Sequence, residues 1–290
     1  MSWRIVEISN RAKLDYRLGF MVVRGEETVK IHLSEVSVLI IENTGVSITA
    51  ALLNELSKSK IKVIFCDEKR NPAFEMVSYY GSHDTSEKVR TQIKWSDITK
   101  GQIWTAIIFE KIKNQAETLD SLGLDGSDKL YGYLEELEFG DKTNREGPAA
   151  KVYFNSLFGN TFSRSSDNDI NSCLNYGYSI ILSAFNREVV ANGYITQLGL
   201  FHDNMFNYFN LSCDLMEPFR PIVDKFVYEL APKKFDHEEK VKLVNLLNDE
   251  VTIDGKHQTV NNAIKIYAKS VFDAINAEDS SLLRMYRNEL

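Results

Sequence analysis

Short apolar runs alternate with turn-forming residues along the first 80 positions, which is typical of β-strands. One segment has helical spacing instead: Ile48, Ala51, Leu52 and Leu56 fall on one face, with Ser47 as the expected N-cap. The pattern therefore predicts a small sheet layer with one helix. The predicted strands are Trp3–Ile8, Leu18–Val23, Val29–His32, Val36–Ile41 and Ile61–Cys66.

After a polar stretch at Gly81–Ser86, the apolar positions recur with the period of a helix. Asp254-Gly255 predicts one hairpin turn within this region. We therefore expect an α+β protein, in which a small β-rich domain (1–80) and a linker (81–90) precede a larger all-helical domain (91–290). The predicted helices are Gln102–Leu119, Leu130–Leu137, Arg145–Phe158, Ile170–Asn192, Ile222–Leu230, Glu238–Leu247, Val260–Ala274 and Ser281–Arg287.

The amino-acid composition and the net charge exclude several classes of protein. Hydrophobic residues are 43% and charged residues 26% of the 290, which excludes a disordered chain. The net charge of −7 excludes a generally basic nucleic-acid binder, although it leaves room for a local basic groove. Three widely spaced cysteines without a Cys-x-x-Cys pair argue against structural zinc. With neither a signal peptide nor a membrane-length apolar run in the sequence, we expect a cytoplasmic protein.

The nucleotide-binding, serine-hydrolase and zinc-protease motifs Gly-x-x-x-x-Gly-Lys-Ser/Thr, Gly-x-Gly-x-x-Gly, Gly-x-Ser-x-Gly and His-Glu-x-x-His do not occur. Among the five histidines, His202 has the richest surroundings, because Asp214 and Glu217 follow it closely. Pro218 and Pro221 place Glu217 at the junction of a loop and a helix. A histidine with nearby carboxylates makes a mixed nitrogen and oxygen site, which suits Mg²⁺ or Mn²⁺.

Each of these residues also has a structural interpretation. His202 could be a packed histidine bonded to the backbone, and Asp214-x-x-Glu217 could be a capping box. Glu146 could be an acid in the first turn of a helix capped by Asn144, where the helix dipole favours it. The residues by themselves therefore leave a metal-dependent phosphoryl-transfer site as one hypothesis among several.

Four segments, taken together and in order, resemble the signature blocks of the CRISPR-associated spacer-acquisition integrases. These segments are Asn144–Phe154, Asp169–Leu182, Gly199–Asn204 and Asp214–Asp224. The β-rich N-terminal region is also similar to that of the family, and three short segments resemble its type II-A branch: Trp3-Arg4, His32–Glu35 and Val63–Asp67.

The resemblance implies a set of site residues. Glu146 matches the metal-binding glutamate of the Glu-Gly-x-Ala-Ala block, and His202 matches the metal-binding histidine of the Gly-x-x-His block. Glu217 matches the last acidic ligand, where many members have Asp. Asp214 matches a supporting acid, and Arg220 matches a basic residue that would contact a phosphate or orient Glu217.

The resemblance also implies an activity: with Mg²⁺ or Mn²⁺, the 3′-OH of a captured DNA fragment attacks a phosphodiester at the edge of a CRISPR repeat. A non-catalytic DNA-binding scaffold and a general structure-specific nuclease are the alternatives. The candidate DNA contacts are Arg145, Lys151, Arg164 and Lys225. Aromatic residues that would either stack on bases or belong to the core are Tyr176, Tyr178, Phe206, Tyr208 and Phe209.

The partners implied by the resemblance are double-stranded DNA, a second copy of the chain and a small ferredoxin-fold subunit, together forming a heterohexamer. In the type II-A branch, a ring-shaped DNA-end-binding protein and an RNA-guided effector nuclease would join them. No membrane partner is expected.

Overall fold

The computed structural model describes residues 4–78 and 82–287, and the chain forms two compact units, Met1–His83 and Asp84–Leu290. The first unit is rich in strands and the second is mostly helical, which confirms the predicted α+β class. The predictions for Trp3 and Gly81 lie outside the described residues.

Over residues 4–78, the first unit contains two sheets, one α-helix and a short 3₁₀ turn. One sheet has the order β1-β5-β7-β8, in which β1, β5 and β7 are parallel, and the other has the order β4-β3-β2-β6. Every residue of β5 is buried, as its uninterrupted apolar run requires. The elements are β1 (Arg4–Ile8), β2 (Lys13–Arg17), β3 (Phe20–Arg24), β4 (Thr28–His32), β5 (Val36–Ile41), β6 (Ser47–Ile48), α1 (Ala50–Lys58), β7 (Lys62–Cys66) and β8 (Pro72–Met76).

The predicted strands are present, but the first unit differs from the prediction in four places. Leu18 and Gly19, both at positive φ, form the turn between β2 and β3, so β3 begins at Phe20 instead of Leu18. We missed β2 because its charged outer positions hide its alternation, and β8 because it begins at a proline. Ser47 belongs to β6, and the N-cap of α1 is Thr49, whose hydroxyl accepts the Leu52 N–H.

The second unit is built around two long helices, α3 and α6. The N-cap Ser96 begins α3, and Gly123 ends it in the left-handed conformation that glycine adopts without strain. The helices are α2 (Thr85–Ile93), α3 (Asp97–Leu122), α4 (Ser127–Glu135), α5 (Glu146–Phe158), α6 (Asp169–Ala191), α7 (Asn210–Met216), α8 (Arg220–Leu230), α9 (His237–Asn245) and α10 (Val260–Ala277).

Long periodic segments are confirmed as helices, but the second unit is not all-helical as predicted. A sheet of order β10-β9-β11 contains the predicted hairpin, β9 (Glu250–Ile253) and β10 (Lys256–Thr259), and adds β11 (Tyr286–Arg287). The helix predicted at Ser281–Arg287 is wrong, because Tyr286 is fully buried and pairs with Ile253 of β9. The expected linker is helical from Thr85 onward.

Helices α6 and α8 approach closely at Gly177. A Cβ at this position would lie 2.5 Å from Cγ1 of Val223 and 3.3 Å from Cδ2 of Leu243. We therefore expect Gly177→Ala to destabilise the protein by about 1–3 kcal/mol, since a well-packed core absorbs an added methyl group poorly. Chemical denaturation measures the change.

Gly132→Ala in α4 is the matched control, because a Cβ there meets nothing within 4 Å. This substitution should leave stability unchanged or raise it slightly. Equal stabilities of the two variants would contradict the close packing of α6 on α8.

Candidate metal centre

Two of the candidate ligands meet at a lysine that the sequence analysis did not single out. The Nζ atom of Lys111, on α3, donates hydrogen bonds to Oε1 of Glu146 and to Oε2 of Glu217. The bond to Glu217 is 2.5 Å long. Lys111 and Glu217 are buried, and Glu146 is partly buried. One ammonium group therefore joins carboxylates that lie 71 positions apart in the sequence.

Glu146 reaches this point because it is the first residue of α5. The carboxylate of Asp141 accepts the backbone N–H groups of Arg145 (2.6 Å) and Glu146 (3.2 Å), which satisfies two donors at the helix end. Asp141 thus has the role that we expected of Asn144. The N-terminal position also favours a carboxylate through the helix dipole.

Glu217 begins a 3₁₀ turn, Glu217–Phe219, which joins α7 to α8. The carbonyl of Pro218 accepts hydrogen bonds from the side-chain amide of Asn114 (3.0 Å) and the hydroxyl of Tyr286 (2.8 Å). These bonds attach the turn to α3 and to β11. Glu217 therefore lies at a junction between two helices, where we expected a loop-to-helix junction.

Arg220 supplies a second cation to Glu217. Its Nε atom donates to Oε1 of Glu217 at 2.9 Å, and its guanidinium carbon lies 4.7 Å from the centre of the Tyr178 ring. The Tyr178 hydroxyl donates in turn to Asp224, whose pKa burial raises to about 7. The buried Tyr178 ring thus fixes the guanidinium from a second direction.

The electrostatics of this cluster keep Glu217 ionised. Burial alone would raise the pKa of its carboxyl group, but the cations of Arg220 and Lys111 outweigh burial and lower the pKa to about 2. Burial likewise opposes the charge of Lys111, yet Glu217 and Glu146 hold its pKa above the ordinary value. Two carboxylates thus face two cations, so the formal charges of this cluster balance.

His202 lies on a loop that Asp214 organises. Asp214, fully buried on α7, accepts the backbone N–H groups of Leu200 (2.6 Å), Phe201 (3.1 Å) and His202 (3.2 Å). Its Oδ1 also accepts the Nδ1–H of His202 at 2.5 Å. The capping-box interpretation of Asp214-x-x-Glu217 is therefore wrong, because the Asp214 carboxylate faces the loop.

Gly199 makes this arrangement possible. A Cβ there would lie 2.3 Å from the carbonyl oxygen of His202 and 2.7 Å from Oδ2 of Asp214. The backbone can therefore wrap around the carboxylate only where a side chain is missing.

The bond to Asp214 decides which nitrogen of His202 is available. Because Nδ1 faces the carboxylate, Nε2 is the nitrogen that could bind a metal, an orientation common among metal-binding histidines. Asp214 is also the main reason why the pKa of His202 is raised, and the charges of Glu217 and Glu146 raise it further. The three candidate ligands thus share one electrostatic environment.

Glu146 and Glu217 bring two carboxylates together at one point of the structure. The carboxylates already share a cation in this structure, which shows that their oxygens converge on a position suited to positive charge. Carboxylate oxygens with an imidazole nitrogen nearby are donor types that suit a hard divalent cation such as Mg²⁺ or Mn²⁺. Glu146 and Glu217 meet at Lys111, whereas no contact joins His202 directly to either carboxylate in the described part of the chain.

Lys111 could have been found from the sequence. It follows Ile107 by four positions and Ile108 by three, so it interrupts the apolar face of α3 with a charge. A lysine at a buried helical position needs charged partners, and that requirement was the available signal.

The four candidate DNA contacts differ in their surroundings. Arg145 pairs with Glu136 at 2.9 Å, and Arg164 donates to Asn175 at 2.7 Å while its guanidinium lies over the rings of Tyr178 and Phe154. Lys151 is exposed and Lys225 is half-buried.

The aromatic residues also separate into two groups. Tyr176 and Tyr178 are buried, whereas Phe206 and Tyr208 are 82% and 71% exposed on the loop that carries His202. Phe209 is half-buried.

Comparisons with known proteins show the family of this chain. The family model described as "CRISPR associated protein Cas1" matches residues 8–251. A "CRISPR-associated endonuclease Cas1" from Neisseria meningitidis serogroup C is 32% identical over 292 residues, covering 98% of this chain and 96% of the relative. No described helix is long and apolar enough to cross a membrane.

Solved structures share the fold. A Cas1 protein from Thermotoga maritima has a TM-score of 0.75 at 16% identity, covering 99% of this chain and all of its own. A chain of a partial Cas6-RT-Cas1–Cas2 complex has a TM-score of 0.67 at 16% identity, with full coverage of both chains. A casposase bound to an integration product has a TM-score of 0.71 at 19% identity, covering 97% and 92%.

Asp214→Asn tests the organisation of the His202 loop. The amide keeps one oxygen, but its NH₂ group would face backbone N–H donors, so we expect a loss of about 2–4 kcal/mol in stability. Hydrogen exchange should accelerate at the amides of Leu200, Phe201 and His202. Asp203→Asn, at an exposed position of the same loop, is the control. Unchanged protection in Asp214→Asn would show that another group holds the loop.

Proposed function

The chain belongs to the CRISPR-associated Cas1 family, and from this premise we propose that it is a metal-dependent DNA integrase of CRISPR adaptation. It would insert short DNA fragments into a repeat array. The observation that carries the proposal is the convergence of Glu146 and Glu217 on one buried cation, beside a histidine that a buried carboxylate orients. The endonuclease name of the Neisseria relative and the casposase neighbour support the same class of chemistry.

In the proposed reaction, the 3′ oxygen of the incoming fragment attacks a phosphorus atom at the edge of a repeat. One phosphorus–oxygen bond forms, the bond to the original 3′ oxygen breaks, and the nucleophile's proton is released while the leaving oxygen gains one. Glu146, His202 and Glu217 would hold Mg²⁺ or Mn²⁺, which supplies charge stabilisation at the reacting phosphate and at both oxygens.

The other residues have positioning roles in this proposal. Asp214 holds His202 with Nε2 free of the carboxylate bond, and Arg220 fixes one oxygen of Glu217. Arg220 would also offer its remaining donors to a substrate phosphate.

Direct transesterification needs no enzyme nucleophile, and the nearby thiols and hydroxyl are consistent with this route. Ser212 is fully buried, and burial raises the pKa of the Cys213 thiol. Burial also raises the pKa of Cys173 to about 12. These thiols would therefore be protonated at neutral pH and poor nucleophiles.

Two other functions remain as outcomes of the test. A non-catalytic scaffold would have no need for two carboxylates and two cations in a buried cluster, because the desolvation of those charges is costly. A structure-specific nuclease would use the same centre, with water replacing the 3′-OH. The nuclease and the integrase would therefore differ only in the nucleophile, which is water in the first and a 3′-OH in the second.

For partners, we propose double-stranded DNA, a homodimer and a small ferredoxin-fold subunit in a heterohexamer. The likeness to a chain of a Cas6-RT-Cas1–Cas2 complex supports a Cas2-type partner. We also propose the type II-A branch, from the segments Trp3-Arg4, His32–Glu35 and Val63–Asp67. A ring-shaped DNA-end-binding protein and an RNA-guided effector nuclease would then be further partners.

Among the candidate DNA contacts, exposed Lys151 is best placed for a phosphate, since Arg145 and Arg164 already have side-chain partners. Phe206 and Tyr208 present exposed rings close to His202 in the sequence, so we propose that this loop stacks on bases beside the reacting phosphate. Lys225 remains a weaker candidate because it is half-buried.

Strand transfer of a labelled duplex into a repeat-bearing plasmid tests the activity. With the small partner and Mg²⁺ or Mn²⁺, we expect joining that EDTA abolishes. His202→Ala and Glu217→Gln should each lower the rate by roughly 100-fold or more, because each removes a proposed ligand of the metal ion that stabilises charge at the reacting phosphate. Glu229→Gln, an exposed acid on α8, is the control.

The outcomes distinguish the three functions. Joining that survives both ligand substitutions would place the active site elsewhere. Nicking without joining would indicate a nuclease, and DNA binding without either reaction would indicate a scaffold.

Phe206→Ala tests base stacking. Loss of one stacked base should weaken binding by about 1–3 kcal/mol, so we expect roughly a tenfold higher Kd for branched DNA with unpaired bases at the junction. Fluorescence anisotropy measures this, with a blunt duplex as the comparison substrate and Ile98→Ala, an exposed apolar residue of α3, as the control. Equal affinities of Phe206→Ala and native protein for the branched DNA would contradict stacking.

A further inference from the structure

The chain itself supplies a cation to the two carboxylates of the candidate centre. Lys111 Nζ lies within hydrogen-bonding distance of Oε1 of Glu146 and Oε2 of Glu217 at the same time. Its side chain is 9% exposed, and that of Glu217 is 4% exposed. Solvent therefore contributes little to the pairing of Lys111 with Glu217, whereas the side chain of Glu146 is 27% exposed.

Lys111 carries its ammonium group at a buried position. A buried ammonium group is costly unless several acceptors replace its water, and removal of either carboxylate would leave that cost uncompensated. Removal of the ammonium group would also be costly, because the carboxylates of Glu146 and Glu217 would then repel each other and Arg220 would be left to neutralise both. The three side chains are therefore mutually dependent in the structure described.

We propose that Lys111 is an internal counter-cation, which occupies the cation position between Glu146 and Glu217 and must release at least one of them when a divalent metal binds. This inference rests on the proposed metal centre. A metal that bound both carboxylates would need the oxygen atoms that Lys111 now engages. Lys111 is thus a positioning residue that competes with the metal.

The balance of charge in this cluster links metal binding to DNA binding. Glu146 and Glu217 balance Lys111 and Arg220, so a divalent ion would add two positive charges to a buried cluster that is already neutral. Substrate phosphates bring the compensating negative charge. Metal and DNA should therefore bind cooperatively, each raising the affinity for the other by the same factor.

Manganese binding without DNA tests the competition. Free Mn²⁺ is counted by its solution EPR signal during titration of the native protein and the variants Lys111→Met and Lys111→Gln. We expect Mn²⁺ to bind both variants at least ten times more tightly than it binds the native protein, because the competing cation is gone. Lys111→Arg, which keeps the charge, should bind as weakly as the native protein.

Lys113→Met is the matched control, because Lys113 lies on the same helix and pairs with Glu117 at 3.4 Å. It should leave the Mn²⁺ affinity unchanged. Thermal melting supplies a second measurement: Lys111→Met should melt below the native protein without metal and should gain more from Mn²⁺. A variant that folds only with Mn²⁺ would support the same conclusion, and Lys111→Gln, which can still donate hydrogen bonds, covers the case in which Lys111→Met does not fold.

Two results would overturn the inference, and they can be told apart. Equal or weaker Mn²⁺ affinity in the folded Lys111 variants would show that Lys111 is structural only, and the metal centre would stand. If neither the native protein nor any variant binds Mn²⁺, with or without DNA, the proposed metal centre itself fails.

Discussion

The neutralisation of buried charge is the constraint on which the centre depends. Glu217 lies where water cannot stabilise it, so the fold must bring cations to it, and Lys111 and Arg220 come from different helices. This requirement determines how α3, α5 and the turn between α7 and α8 are arranged. Asn114 and Tyr286 complete the arrangement by holding the carbonyl of Pro218, so the C-terminal strand also contributes to the geometry of the centre.

A second buried carboxylate works in a different way. Asp214 gathers three backbone N–H groups and one imidazole, so it shapes a loop and orients His202 with a single side chain. Gly199 is required because its backbone passes too close to Asp214 to carry a Cβ. Glu146 and Glu217 are therefore positioned by ion pairs, while His202 is positioned by hydrogen bonds to Asp214.

Periodicity predicted much of the fold, because long apolar stripes such as those of α6 and α10 specify helices by themselves. It failed where tertiary contacts decide: Tyr286 belongs to a strand because β9 offers it a partner. The residues alone left Glu146, His202 and Glu217 with structural interpretations, and the family resemblance singled them out. Lys111 was missed, although its charge on the apolar face of α3 indicated a buried ion pair, because the sequence does not show which carboxylates are its partners.

Anomalous diffraction from crystals soaked in Mn²⁺ tests the central claim most directly, because it locates the ion without reference to activity. The account predicts one Mn²⁺ peak at about 2.0–2.5 Å from carboxylate oxygens of Glu146 and Glu217 and from Nε2 of His202, with Lys111 withdrawn from at least one carboxylate. A peak bound by other residues, or an occupied site with both Lys111 hydrogen bonds intact, would contradict it.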